Sequence, residues 1–391
     1  MSAVDERAGR RLIPPFTEEH EALRESLRSF IEHEIRPFAP EWEAAEEFPR
    51  ELYLRMGELG FLGLKYPEEY GGQGGDYIHD AVMCEEMARS GSGGVSAGIG
   101  AHVGIATPPI YKFGTEEQRL RWLVPAIRGE KVCALAITEP GAGSDVAGLK
   151  TYARREDGGY VVNGSKTFIT NGVRADIYVT AVKTTKEGGH HGISFLVLEK
   201  GMEGFTVSRK LEKLGWHASD TGELSFQDVE VPEENLLGAE NKGFYQIMSN
   251  FQWERLAMAL GAVGGMQATF ERTLEYAKER HAFGRPIGSF QAIRHKLAWM
   301  ATEIEAARDF TYHALRLFLA GQDALKEVSI AKLYACRAAV RVADEAVQIH
   351  GGYGYMREYD VERALRDARL GPIGGGTDEI MKEIIGRQLG L

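Results

Sequence analysis

Cysteine is scarce in this 391-residue chain: Cys84, Cys133 and Cys336 lie far apart, and no Cys-x-x-Cys spacing occurs. That excludes a disulfide framework and a zinc ribbon, and fits buried thiols in a reducing cytosol. Positive charge is in deficit as well. Against 57 Asp and Glu stand 46 Lys and Arg, a formal charge of −11. This argues against nucleic acid or an anionic membrane as the main partner, but leaves room for a local basic pocket. The longest apolar run, Leu256 to Met266, is well short of the ~20 residues that a bilayer span needs. Residues Met1 to Arg11 carry charges of both signs around no apolar centre, so no secretory signal is expected there. Proline nearly vanishes towards the end of the chain: of 13, only Pro286 and Pro372 follow Phe244. A cytoplasmic protein without membrane insertion is expected.

Glycine, by contrast, is abundant at 47 residues, without a Gly-X-Y period, which implies many turns or close backbone approaches. The pattern of apolar residues changes twice. In the first third, Thr17 reads as an N-cap, and Leu23, Leu27, Phe30, Ile31 and Ile35 follow at helical spacing until Pro37 and Pro40 stop the helix. From Val132 to Val231 short β-rich runs alternate with turn signals, including Asp157-Gly158-Gly159 and Asn163-Gly164. After Pro232 long helical stretches resume, from Phe244–Arg280 to Asp378–Leu389. The expected fold is α+β and multidomain: an N-terminal α-helical domain over 1–131, a middle antiparallel β-barrel or sandwich over 132–243, and a C-terminal antiparallel helix bundle over 244–391.

Several textual motifs fail for want of context. Gly94 to Gly98 spells a nucleophile elbow around Ser96, but its surroundings read as helix and no strand enters it. Gly159 to Lys166 nearly spells a P-loop, yet the intervening Tyr-Val-Val-Asn belongs to a hairpin. His190-His191 has no partner at metal spacing, and no metal site is expected. Two features do point to chemistry. Ala136 to Gly148 is a strand running into a loop of Gly, Ser and Asp, which offers N–H groups and hydroxyls to a phosphate-bearing ligand. Glu254 lies between Trp253 and the apolar run from Leu256, where desolvation would raise its pKa towards that of a general base; a buried partner for Arg255 is the alternative.

Four strings together resemble the acyl-CoA dehydrogenase family. They are Ala136-Ile-Thr-Glu-Pro-Gly-Ala-Gly-Ser-Asp, Lys166-Thr-Phe-Ile-Thr-Asn-Gly172, Arg280-His-Ala-Phe-Gly-Arg-Pro-Ile-Gly-Ser-Phe-Gln291 and Gln348-Ile-His-Gly-Gly-Tyr-Gly-Tyr355, in the family's order. The resemblance implies an FAD flavoprotein that oxidises an acyl-CoA thioester at Cα–Cβ to the trans-2-enoyl-CoA. It also implies an electron-transfer flavoprotein as acceptor and a homotetramer built as a dimer of dimers. Position by position, it implies that Leu135, Ile137, Thr138, Gly143, Ser144, Phe168, Ile169 and Thr170 contact the flavin, with Phe168 where the family usually has Trp. Arg280, Phe283, Gln291, Gln348, Gly351 and Gly352 would hold the neighbouring subunit's FAD, and Thr377 and Glu379 its adenosine end. Ser144, Ser208, Arg209, Tyr245, Arg255, Gly375 and Gly376 would meet the substrate.

The departure from the pattern is informative. Most of the family carry the catalytic base in a Glu-Gly-Thr string; here the chain reads Gly375-Gly376-Thr377. The isovaleryl-CoA and long-chain members place the base on the first C-terminal helix, and this chain has Glu254 at that position. Gly374 stands where straight-chain enzymes usually have Tyr, so the resemblance implies room for branched or bulky acyl chains of medium-to-long length.

Overall fold

The computed structural model describes residues 15–185 and 189–391; the N-terminal residues read above for a secretory signal lie outside them. Helix α1 (Glu18–Phe30) begins at Thr17, whose N–H donates to His20 Nδ1 at 3.1 Å in a capping box. It continues through a π turn to Ile35. Pro37 ends this helix, but Pro40 does not: it sits in the first turn of α2 (Ala39–Ala45), where a missing N–H leaves no hydrogen bond unmade. Helices α3 (Glu51–Glu58), α4 (Tyr77–Met87), α5 (Gly93–Gly100) and α6 (Thr107–Phe113) follow, with a second π stretch, Ala101–Ala106, joining the last two. The short pieces α7 (Glu116–Gln118) and α8 (Val124–Ile127) complete this segment.

The middle segment is one 8-stranded sheet in the order β6-β7-β3-β2-β4-β5-β8, with β1 beside β4. Its strands are β1 (Cys133–Ala136), β2 (Tyr152–Glu156), β3 (Gly159–Thr170), β4 (Ile177–Lys183), β5 (Ile193–Glu199), β6 (Phe205–Lys210), β7 (Thr221–Pro232) and β8 (Leu236–Leu237). The sheet is mixed rather than purely antiparallel, because β1 and β2 both pair with β4 in parallel. A parallel pair needs a long crossover, and the loop after β1 together with the β2–β3 hairpin supplies it. Asn163-Gly164 is a bulge within β3, not a turn. The register shifts there, Gly164 has φ +147°, and a Cβ on it would lie 2.6 Å from the Thr151 hydroxyl.

The C-terminal segment packs α9 (Gly243–Glu279), α10 (Gln291–Leu319) and α11 (Leu325–His350) against one another, followed by α12 (Val361–Ala368) and α13 (Asp378–Gln388). Helices α9 and α11 pack together, and Leu256, Leu260 and Val263 of α9 share the core with the small residues Ala331, Ala335 and Ala338 of α11. Gly264 lets α4 approach: a Cβ there would sit 2.2 Å from the Glu85 carbonyl oxygen. One continuous apolar core runs through all three segments. Among the described residues, no helix is long and apolar enough to cross a membrane.

Candidate active site

Glu254 is buried in the first third of the 37-residue α9. Its neighbour Trp253 is also buried, with its ring 4.6 Å from that of Tyr77. Asn250, one turn earlier, donates from Nδ2 to Glu254 Oε1 at 2.6 Å, and the same amide reaches the Ile105 carbonyl at 3.2 Å. Burial pushes the Glu254 pKa up to about 8, against the opposing effects of the Asn250 hydrogen bond and the Arg255 charge. Arg255 does not serve as its ion-pair partner. The Arg255 guanidinium instead donates from Nε to the Gly375 carbonyl at 3.4 Å and lies over the Phe251 ring.

The loop that Arg255 touches bends through two left-handed glycines, Gly375 at φ +62° and Gly376 at φ +96°. Buried Lys332 donates to the Gly376 carbonyl at 2.6 Å. Thr377 then caps α13, its hydroxyl accepting the Ile380 N–H at 3.3 Å, and Glu379 is exposed in the first turn. The space beside Gly374 and Gly375 is not left open, as the missing side chains suggest. A Cβ on Gly375 would lie 2.5 Å from Met258 Sδ, and one on Gly374 would lie 3.7 Å from Met258 Cε.

A second surface is built from the end of β1, its following loop and the end of β3. Leu135, Ile137, Thr138 and Thr170 are half-buried, Ile169 is buried, and Gly143 and Ser144 are exposed. The Thr167 N–H donates to the Thr138 carbonyl at 2.9 Å and ties the loop to the strand. Phe168 stands out: its backbone is left-handed at φ +60° and its ring is 68% exposed. A non-glycine residue in that region, presenting an aromatic face outward, is a strained arrangement of the kind found at binding sites. Two residues earlier Lys166, fully buried, donates to the Ile137 carbonyl and to Glu139 Oε1, both at 2.9 Å. Glu139 in turn accepts the N–H groups of Lys150 and Thr151. Burial pushes the Lys166 ammonium pKa down even with Glu139 beside it.

Of the remaining residues singled out in the sequence, Arg280, Gly351 and Gly352 line a cavity of about 500 Å³ with Tyr276, His350 and Tyr353. The Arg280 guanidinium lies over the Tyr353 ring at 5.1 Å. Phe283, Gln291 and Gln348 are exposed and do not line it. Ser208 and Arg209 sit on edge strand β6, both bonded to Glu223, whose other contact is the Thr167 hydroxyl. Tyr245 is half-exposed in the first turn of α9. Ser96 is in mid-helix, donating to the Met87 carbonyl at 2.7 Å, so no strand-turn-helix elbow exists. One metal-like cluster occurs among the described residues, His20, Asp76 and His79. Its two Nδ1 atoms already lie within hydrogen-bond reach of the Thr17 and Asp76 backbone N–H groups in helix caps, each at 3.1 Å, and His79 Nδ1 also lies 3.0 Å from Asp76 Oδ1. Asn250, Met258, Lys332, Lys166 and Glu139 were not foreseen, although a lysine in a β-rich run is a local sign of an internal partner.

Three family models match in chain order: the acyl-CoA dehydrogenase N-terminal domain over residues 17–130, the middle domain over 134–229 and the C-terminal domain over 241–390. The chain belongs to the acyl-CoA dehydrogenase family. It is 43% identical to the mitochondrial long-chain specific acyl-CoA dehydrogenase of Mus musculus, over 96% of this chain and 87% of that one. It is 43% identical to the mitochondrial isovaleryl-CoA dehydrogenase of Oryza sativa subsp. japonica, over 96% and 92%. The crystal structure of an acyl-CoA dehydrogenase from Geobacillus kaustophilus superposes with TM-score 0.94 at 46% identity, covering 97% of this chain and 100% of that one. As an acyl-CoA dehydrogenase the protein is an FAD-dependent oxidoreductase. The surfaces fit that cofactor: an exposed aromatic face, the threonines Thr138 and Thr170 at its margin, and a cation with two open glycines in the Arg280 cavity.

Proposed function

We propose that this enzyme oxidises branched or medium-to-long acyl-CoA thioesters to trans-2-enoyl-CoA, with Glu254 as the base. The observation that carries this reading is a buried carboxylate, held by Asn250 and raised towards neutral pKa, beside a loop whose own acid position is Gly375. Glu254 takes the α-proton; the electron pair left at Cα becomes the Cα=Cβ bond as the β-hydrogen departs with its pair. FAD, when bound, supplies the acceptor for that hydride. Asn250 holds the receiving oxygen in place and Trp253 keeps water from it, while Arg255 fixes the glycine loop.

On the same reading, Leu135, Ile137, Thr138, Gly143, Ser144, Phe168, Ile169 and Thr170 face the flavin. Arg280, Phe283, Gln291, Gln348, Gly351, Gly352, Thr377 and Glu379 serve the remainder of FAD across a subunit contact, in a homotetramer. Ser144, Ser208, Arg209, Tyr245, Arg255, Gly375 and Gly376 meet the acyl-CoA. Electrons pass to an electron-transfer flavoprotein, and the enzyme works in the cytoplasm. The names of the two mitochondrial relatives, long-chain specific and isovaleryl-CoA, support the substrate range. The test is anaerobic reduction of the flavin by a panel of thioesters. Isovaleryl-CoA and medium-to-long chains should bleach it; an enzyme that responds to butyryl-CoA and to no branched or longer chain would refute the proposed range.

A further inference from the structure

Position 258 carries a side chain whose place in the site the glycine loop reveals. Met258 lies four residues after Glu254 and three after Arg255 on α9, so its side chain is a helix-surface neighbour of each. Its thioether fills the volume that a side chain on Gly375 would claim: the three nearest heavy atoms to a Cβ built there are Met258 Sδ at 2.5 Å, Cε at 3.8 Å and Cγ at 3.9 Å. The same methyl group lies 3.7 Å from a Cβ built on Gly374, and Leu370 Cγ lies 3.6 Å from that Cβ. Met258 is itself only half-buried, so one flank remains open.

The loop glycines and the methionine are therefore complementary. What the loop lacks in side-chain volume, α9 supplies from the opposite side, beside the carboxylate. The substitute is of a particular kind. A side chain rooted on the loop would be a fixed wall, whereas methionine is unbranched, polarisable and turns through three staggered torsions. It can lie against a straight chain and swing aside for a branch.

We propose that Met258 is the specificity-determining residue of this site, an adjustable wall that decides how much branching next to the reactive carbons is accepted. The proposal rests on the assignment of Glu254 as base, since that fixes where the reactive carbons lie. The ligand class it selects is the acyl-CoA thioester with a methyl branch close to the thioester end.

The test compares two thioesters of equal carbon count, isovaleryl-CoA and pentanoyl-CoA, on the FAD-loaded enzyme and on Met258→Ala, Met258→Leu and Met258→Phe. Removing the wall in Met258→Ala should raise the branched-to-straight ratio of kcat/KM roughly four- to fifteenfold, the value of one or two methylenes of pocket. Met258→Phe should lower it by a similar factor. Met258→Leu, nearly equal in volume but stiffer, should fold as the parent does and also lower it. A structural readout accompanies the kinetic one. Gly375→Ala should depress the melting temperature less in the Met258→Ala background than in the parent, because its methyl group then no longer meets sulfur. Ratios unchanged within twofold in all three variants, with Glu254→Gln still unable to reduce flavin, would overturn the wall and leave the base intact. Shifted ratios with an active Glu254→Gln would overturn the base and keep Met258 as a pocket wall.

Discussion

Lys332 of α11, fully buried, donates its ammonium to the carbonyl oxygen of Gly376 at 2.6 Å. With Arg255 bonded to the preceding carbonyl, two cations hold a loop that has almost no side chains of its own. Burial lowers the Lys332 pKa, so this is a group held in an unfavourable setting by the bond it makes. Lys332→Met should lose that bond while keeping the apolar stem. The expected result is a loop with faster backbone hydrogen exchange at 374–377, and a rise in KM for acyl-CoA larger than the fall in kcat. Lys332→Arg, able to donate to the same carbonyl, should restore part of it.

The pair Lys166–Glu139 makes a second prediction. It clips the loop after β1 to β3 two residues before Phe168, with Glu139 also collecting two backbone N–H groups. Lys166→Met leaves Glu139 as a buried carboxylate with those amides alone. Breaking one partner of a buried pair costs about 3–5 kcal/mol. The single variant should therefore melt well below the parent and retain less FAD after gel filtration. Lys166→Met combined with Glu139→Gln should be milder than Lys166→Met alone, measured by melting temperature and by the flavin-to-protein absorbance ratio.

Arg280 bears on assembly. It is exposed at the end of α9, over the Tyr353 ring and beside the open glycines Gly351 and Gly352. If that cavity serves a neighbour's FAD, cofactor binding and association are linked by mass action. Arg280→Ala should lower FAD occupancy and weaken the oligomer together, as read by flavin absorbance and sedimentation velocity. A variant that holds FAD at the parental level would remove the cross-subunit assignment.

How much of this could be read in the sequence depends on the range of the interaction. Helix α1 was legible because Thr17 and the spacing from Leu23 to Ile35 are local. So was the burial of Glu254, whose flank of Trp253 and Leu256 lies within two residues. Strand β6 was not, because it is an edge strand with alternate residues in solvent and no full apolar face. The parallel partners of β4 were not, because strand direction leaves no trace in a period-two pattern. Lys332 and Gly376 are 44 residues apart, and Met258 and Gly375 meet only when α9 and the loop fold together. The room inferred from Gly374 and Gly375 was therefore overestimated: absence of a side chain at one position says nothing of which distant side chain enters it.

That correction alters what a relocated base can do. Moving the carboxylate to the loop, as Glu254→Ala with Gly375→Glu, places a side chain at φ +62° and against Met258 Sδ. Left-handed backbone at a non-glycine residue already costs about 1–2 kcal/mol. The pair should stay close to inactive. Adding Met258→Ala should return measurable flavin reduction, and the triple variant is compared with Glu254→Ala in a single-turnover experiment.

The pKa of Glu254 sets two opposing pH dependences. Catalysis needs the ionised form, so the rate of flavin reduction should rise with pH through about 8, the value to which burial lifts the carboxyl. Stability runs the other way. In the unfolded chain the same group ionises near its ordinary value of about 4.3, whereas the folded chain retains the proton until about 8. Between those values the folded state binds more protons than the unfolded state, so this group's contribution to stability falls as pH rises, by about 1.4 kcal/mol for each pH unit, and levels off above the folded pKa. Glu254→Gln keeps the shape and the Asn250 contact but never ionises. Its melting temperature should therefore exceed the parent's by a margin that grows from pH 5 to pH 8 and then stays constant, while its flavin reduction falls by at least about 10²-fold. A margin that shrinks as pH rises would mean that Glu254 is ionised and stabilised in the folded enzyme, and the base would have to be sought elsewhere.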